Sequence, residues 1–265
     1  MKYYVVSDVH GYLDYLKKAL DDAGFFDEKQ PCKLIVCGDM LDRGDQAVEL
    51  VDFMLSLMKE DKLIYVLGNH EELFVDCLQE IAAGEIYKVS SHTSHHYRNM
   101  TWHSILQIGG MSSTEAYALT NTLVRRVMQS PFYKKLLTIC IDYYETKNYV
   151  FTHGYIPCIS EGSGYYASYK YDPDWRDADV YAWHRARWYN GMDFSCNKGI
   201  KESGKTIVCG HYRASYGHAK IEKKGSDYGD DADFSPFYAD GIIAIDACAA
   251  ASGKINCIVI EDEEL

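Results

Sequence analysis

The stretch VVSDVHGYLDYL, residues 5–16, decides how the chain is read. A continuous apolar run stops on Asp8, places His10 and Gly11 just beyond it, and then resumes in the amphipathic segment LDYLKKALDDAG. Aspartate at a strand end is an ordinary turn or N-cap residue, so Asp8 and His10 are either turn formers or metal ligands.

The same rhythm repeats outward from this point. CKLIVCGD (32–39), KLIYVLGN (62–69), NYVFTH (148–153), KTIVCGH (205–211), GIIAID (241–246) and INCIVIED (255–262) join KYYVVSD (2–8) as short β-rich runs. Most are continuously apolar, the pattern of strands buried on both faces. Amphipathic segments separate the first three: LDYLKKALDDAG, with Gly24 as its stop signal, and AVELVDFMLSLMKED. Strand, helix, strand, helix, strand predicts an α/β fold that begins as mainly parallel βαβ units. Two stretches interrupt it, a mostly helical one over about 85–140 with a polar, histidine-rich segment, and a Tyr- and Trp-rich one over about 160–200. Strands resume after each and no linker intervenes, so 1–265 is expected to be a single domain carrying two insertions.

Composition narrows the function. With 265 residues and 47% hydrophobic content the chain can bury a substantial core. A net charge of -12 disfavours nucleic acid and anionic membrane, which are gripped by basic patches. The nine cysteines form no CxxC pair and several lie in apolar runs, which predicts reduced core thiols. No apolar run is long enough to span a bilayer, and no leader pattern precedes the first strand; a soluble, cytoplasmic protein is expected.

Five apolar runs each terminate in a residue type that binds metal. Asp8 and His10 follow the first; Asp39, Asp42 and Arg43 the second; Asn69, His70 and Glu71 the third; His153 and His211 close the fourth and fifth. In open α/β sheets ligands collect at the carboxyl ends of strands, so residues spread over some two hundred positions are predicted to converge. Any one of them alone reads as a turn residue or a satisfied histidine. Five together point to a metal site.

These blocks resemble a known family. SDVHG (7–11), GDMLDRG (38–44) and GNHE (68–71) look like the signature blocks of the phosphoprotein-phosphatase branch of calcineurin-like metallophosphoesterases, and THG (152–154) and CGH (209–211) fit its two later histidines. The resemblance implies two packed mixed β-sheets flanked by helices, a four-layer α/β/β/α sandwich. It implies one metal on Asp8, His10 and Asp39, and a second on Asp39, Asn69, His153 and His211, with Asp39 bridging. Divalent ions about 3.5–4 Å apart repel, and a bridging carboxylate offsets that repulsion while the pair sets up in-line displacement at phosphorus. The mixed nitrogen and oxygen donors suit Mn²⁺, Fe or Zn²⁺ rather than Mg²⁺ or Ca²⁺ alone. By the same resemblance His70 protonates the leaving oxygen, Asp42 orients His70, and Arg43 grips phosphate. A second arginine is expected from WHRAR (183–187): Arg185, with Arg187 behind it.

The chain also departs from the family pattern. Ser7 stands for a glycine, Tyr155 follows His153-Gly154, and Tyr212 follows His211. No departure removes a ligand, but all line the mouth and bear on the substrate. Phosphoserine or phosphothreonine proteins, or small phosphomonoesters, are the expected substrates. Symmetrical hydrolysis of dinucleoside tetraphosphates is the alternative, for which no additional basic cluster is seen; a non-catalytic scaffold and a nuclease are weaker readings. His92, His95, His96 and His103 are expected in a solvated segment near the entrance, the aspartates of DYGDDADF (227–234) in a solvated loop, and Tyr165, Tyr166, Tyr169 and Tyr171 in packing or in stacking on a ligand. Asp246, ending another strand, is a candidate to orient a ligand histidine.

Overall fold

The computed structural model describes residues 1–162 and 167–265. In its first part β1 (Lys2–Val6), α1 (Leu13–Asp22), β2 (Cys32–Cys37), α2 (Ala47–Lys59) and β3 (Leu63–Val66) alternate. A helical block follows: α3 (Asn69–Ala82), α4 (Ile86–Val89), α5 (His95–Arg98), α6 (Thr101–Gly109), α7 (Ser113–Ala118) and α8 (Thr120–Gln129). The remainder contains β4 (Tyr144–Glu145), β5 (Tyr149–Phe151), β6 (Cys158–Glu161), β7 (Ser168–Tyr171), α9 (Val180–Ala186), β8 (Thr206–Arg213), β9 (Phe237–Ala239), β10 (Ile242–Asp246) and β11 (Ile258–Glu261).

Two mixed sheets carry the fold. One has the order β11-β1-β2-β3, with β1, β2 and β3 parallel and β11 antiparallel at its edge. The other has the order β4-β5-β8-β10-β9, parallel in the middle and antiparallel at both edges. Period-two alternation explains why the strands read as unbroken apolar runs. Tyr4, Val6, Leu34 and Val36 face the helices, among Leu16, Leu20, Leu50 and Met54. Their neighbours Tyr3, Val5, Ile35 and Cys37 point the other way and meet Phe151, Val208 and Ile245 of the second sheet. That sheet buries Val150, Ile207, Cys209 and Ala244 on its far face with Trp175, Trp183 and Phe194. Helices, sheet, sheet and helices therefore stack in the expected α/β/β/α order.

Local signals were accurate where they were chemical. After α1 the Phe25 amide donates to Leu20 O at 2.9 Å and the Gly24 amide to Asp21 O at 2.9 Å. With Gly24 at φ 82°, this is the left-handed stop that a glycine at the C′ position permits. Strand ends were less accurate: β1 stops at Val6, two residues before Asp8, whereas β8 runs through His211 to Arg213. The β6–β7 hairpin and the short edge strands β4 and β9 carry no long apolar run and were not foreseen.

The solvated reading of the histidine-rich segment is corrected. His96, Thr101, Trp102 and Ser104 are buried, and Trp102, Ile105 and Leu106 of α6 belong to the main helical core, although His92 and His95 are exposed. Polar residues around it disguise α6, whose apolar positions 102, 105, 106 and 109 keep helical spacing. At the seam between the sheets β8 passes so close to the turn after β1 that a Cβ on Gly210 would overlap Ser7 Oγ and Asp8 Oδ2. Gly210→Ala is expected to overpack this seam and cost about 1–3 kcal/mol; a lowered urea midpoint at unchanged m would show it, and an unchanged midpoint would contradict it.

Candidate metal centre

The turns after β1, β2, β3 and β5 meet the end of β8 at one place. Asp8, His10, Asp39, Asn69 and His153 are each at most 3% exposed there. The backbone is bent to aim them: Asp8 (φ 52°), His10 (50°), Asp39 (56°), Asp42 (74°), Arg43 (68°) and His211 (65°) all adopt left-handed conformations. Such conformations are uncommon without glycine, and their concentration here marks a site where geometry outweighs backbone preference. Ladder-like bonds hold the turns in register. His10 N donates to Asp39 O at 3.0 Å and Gly11 N to Met40 O at 2.8 Å, while His211 N reaches across the seam to Asp8 Oδ2 at 2.9 Å.

Asp39 lies at the centre. Its Oδ2 is 3.7 Å from His10 Nε2 and 3.8 Å from His70 Nε2, and its Oδ1 is 3.2 Å from His153 Nε2. Donor atoms of His10, Asp39 and His70 lie within 4.8 Å of one another, as do those of Asp39, His153 and His211. Asp8 Oδ1 flanks the first group, 3.8 Å from His10 Nε2. Asn69 Oδ1 flanks the second, 2.8 Å from His153 Nε2.

The residues present fit a pair of cations. His10 Nδ1 donates to Leu41 O at 2.9 Å, which assigns the lone pair to Nε2, a buried atom with no hydrogen-bond partner. His153 Nδ1 donates to Cys37 O at 2.8 Å, so its Nε2 points at the oxygens of Asn69 and Asp39 and carries a proton until a cation takes its place. Acceptors converging on acceptors repel unless a proton or a cation lies among them. Burial, with the charges of Arg43 and His70, holds His10 well below the usual histidine range, and burial with the charge of His153 brings His211 down to about 3. Both are neutral imidazoles, the form that ligates. For His153 burial is outweighed by Asp39 and Asp8, which push it up to about 10. Asp8 rises to about 8 through burial and the nearby Asp246, whereas Asp39, despite burial, is kept well below its ordinary value by His153 and His70.

Beside this cluster His70 Nδ1 donates to Asp42 Oδ2 at 2.6 Å. Burial opposes the imidazolium of His70, but Asp39 and Asp42 raise its pKa overall. Arg43 is exposed, with Nη2 3.4 Å from His70 Nε2. Glu71 had no assigned role from the sequence. Its carboxylate accepts from the amides of Gly68 (2.8 Å), Met40 (2.9 Å) and Asp39 (3.0 Å), tying two turns together. Its signal was positional: a glutamate three residues after the residue that starts a helix. A Cβ on Gly68 would collide with the Asp39 carboxylate, so the glycine keeps this crossing closed.

Other expectations are corrected. Arg187 is buried and ion-paired to Glu72 and Asp142, which removes it from substrate binding. Arg185 is exposed on α9, one helical turn before Trp188, whose ring stands edge-on to His211 at 5.7 Å. Asp246 Oδ1 accepts from the Cys248 amide at 2.6 Å and bonds no ligand histidine among the described residues. In DYGDDADF, Asp230, Asp231 and Asp233 are exposed as expected, and Asp227 is half-buried and pairs with Arg213 at 2.6 Å. Tyr169 packs on Tyr189 and Phe194, and Tyr171 bonds Glu202; Tyr165 and Tyr166 lie outside the described residues.

The fold is a four-layer sandwich of two mixed sheets with a buried His/Asp cluster able to hold metal ions at its seam. A family model for calcineurin-like phosphoesterase matches residues 1–241, and the chain belongs to that family. A symmetrical bis(5'-nucleosyl)-tetraphosphatase of Buchnera aphidicola subsp. Acyrthosiphon pisum is 35% identical over 71 residues, 27% of this chain and 24% of that protein. The asymmetrical bis(5'-nucleosyl)-tetraphosphatase PrpE of Anoxybacillus flavithermus is 33% identical over 76 residues, 26% of this chain and 31% of that protein. The matched segment thus spans 24–31% of the length of these curated relatives. A cold-active protein-tyrosine phosphatase of a psychrophilic Shewanella species shares the fold, with a TM-score of 0.51 at 16% identity over 98% of this chain and 75% of that chain.

Two outcomes test the centre. Glu71→Gln, which replaces one shared acceptor oxygen with a donor facing backbone N–H groups, is expected to cost about 1–3 kcal/mol and lower metal content; thermal melting with metal analysis checks both. Because Asp8 and His153 hold protons near pH 7 and a bound cation displaces them, loading with Mn²⁺ is expected to release roughly two protons and to tighten as pH rises. Calorimetry in buffers of different ionisation enthalpy measures this, and no net release would contradict it.

Proposed function

We propose that the chain is a binuclear-metal phosphomonoesterase of the serine/threonine protein-phosphatase type. Asp8, His10 and Asp39 would hold one divalent ion, and Asp39, Asn69, His153 and His211 the other, with Mn²⁺ preferred and Fe or Zn²⁺ compatible with the donors. The observation that carries this reading is Asp39, a buried carboxylate common to two clusters of ligand atoms. When bound, such ions supply Lewis-acid activation of water and of phosphoryl oxygens.

The chain's own groups do the rest. Arg43, exposed and permanently charged, offers a two-pronged donor to phosphoryl oxygens, and Arg185 is proposed to complete the grip. His70, held by Asp42 at 2.6 Å, gives a proton to the departing oxygen. Residues of both sheets would supply ligands, which makes 1–265 one domain with insertions at about 85–140 and 160–200. Nine free thiols fit a reducing compartment, and we assign the protein to the cytoplasm. Among the described residues no helix is long and apolar enough to cross a membrane.

The names of the sequence relatives, symmetrical and asymmetrical alike, support a second reading, hydrolysis of dinucleoside tetraphosphates, of which the symmetrical mode is the alternative. Against it stands the supply of cations: Arg187 is neutralised by Glu72 and Asp142, and the net charge is -12. Incubating the Mn²⁺-loaded protein with a phosphopeptide and with diadenosine tetraphosphate decides between them. Phosphate release from the peptide at least about tenfold faster than nucleotide production is expected; the reverse order would transfer the assignment to the second reading. His70→Asn is expected to retain both ions and lose about 10²–10⁴ in turnover. Loss of metal instead would make His70 a ligand.

A further inference from the structure

The helical insertion reaches into the reacting end of the site. Thr101, Ser104 and Gln107 stand at three-residue intervals along α6 and form one polar stripe. Each grips the turn that carries Asp42 and Arg43. Thr101 Oγ1 donates to Asp42 Oδ2 at 2.7 Å, and the Asp42 amide donates to Ser104 Oγ at 2.9 Å. Gln107 Nε2 donates to Gly44 O at 3.0 Å, while its Oε1 accepts from the Ala47 amide at 3.0 Å. Asp42 and Arg43 are consecutive non-glycine residues in left-handed backbone, a conformation that persists only where surroundings enforce it. Met100, immediately before Thr101, is left-handed as well and turns α6 onto this loop.

The hydrogen bonds on Asp42 are lopsided. Oδ2 accepts from both His70 Nδ1 (2.6 Å) and Thr101 Oγ1 (2.7 Å), whereas the buried Oδ1 has no partner. Thr101 is fully buried, so no water replaces its hydroxyl if it is removed. Without that donor the Asp42 carboxylate loses the bond that distinguishes its two oxygens, and His70 Nδ1 loses an acceptor held in one orientation.

We propose that Thr101 is a positioning residue for proton delivery: by clamping Asp42 from the insertion helix it aims His70 at the departing oxygen. The inference rests on the role proposed above for His70. Water adds its oxygen to phosphorus and the bond from phosphorus to the leaving oxygen breaks with its electron pair. The Nε2 proton of His70 passes to that oxygen, Nδ1 keeps its proton on Asp42, and the proton lost by the attacking water restores Nε2. The clamp therefore matters most when the leaving oxygen is basic and needs that proton.

Thr101→Val removes the hydroxyl at nearly constant shape. In the Mn²⁺-loaded protein it is expected to lower kcat on phenyl phosphate about tenfold, to leave dinitrophenyl phosphate within about twofold, and to leave KM and metal content unchanged. Thr101→Ser, which keeps the donor, is expected to restore phenyl phosphate turnover, and melting curves verify that both variants fold. Equal losses on the two substrates, or a Ser variant as slow as the Val variant, would overturn the inference. His70→Asn is run alongside. If it discriminates between the leaving groups while Thr101→Val does not, only the role of Thr101 falls. If His70→Asn does not discriminate, the proton-donor reading falls and this inference with it.

Discussion

A buried carboxylate surrounded by imidazoles is the constraint on which the centre depends. Asp39 is within 4 Å of three histidine Nε2 atoms, and two of those imidazoles are fixed by their other nitrogen to main-chain carbonyls. Carbonyl acceptors at Nδ1 leave the Nε2 atoms pointing inward at Asp39, an arrangement that becomes favourable around positive charge, whether a proton or a cation. Turn conformations, glycine crossings and the strut formed by Glu71 all serve to hold that arrangement. The family membership of the chain and the cluster geometry thus meet in one residue.

The centre could be read from sequence because its chemistry is concentrated at strand ends. Asp8, His10, Asp39, Asn69 and His153 sit within four residues of the strands that precede them, so topology alone brings them together. The hydrogen-bonded pairing of His70 with Asp42 was legible for a different reason, the resemblance of GDMLDRG and GNHE to known blocks. Long parallel strands were found because burial on both faces leaves unbroken apolar runs.

What escaped did so for physical reasons as well. Arg185 and Arg187 are two residues apart on one short segment, and only tertiary placement shows that Glu72 and Asp142 neutralise the second. Thr101 and Ser104 have no local pattern that marks them, since threonine and serine in a polar stretch read as solvent-facing. Their partner Asp42 is some sixty positions away. The edge strands β4 and β9, at two and three residues, are too short for any periodicity to register. Pairing with a neighbouring strand is what makes them β structure.

The approach of β8 to the turn after β1 has a wider consequence. Asp8, His10, Asp39 and Asn69 hang from one sheet and His153 and His211 from the other, so if these residues hold the ions as proposed, ion affinity and the alignment of the two halves would be linked quantities. Sliding of one layer past its mate would pull these residues apart, and cations held across the join would act as rivets against such shear. Mechanical rigidity of the sandwich and occupancy of the cluster would then be coupled.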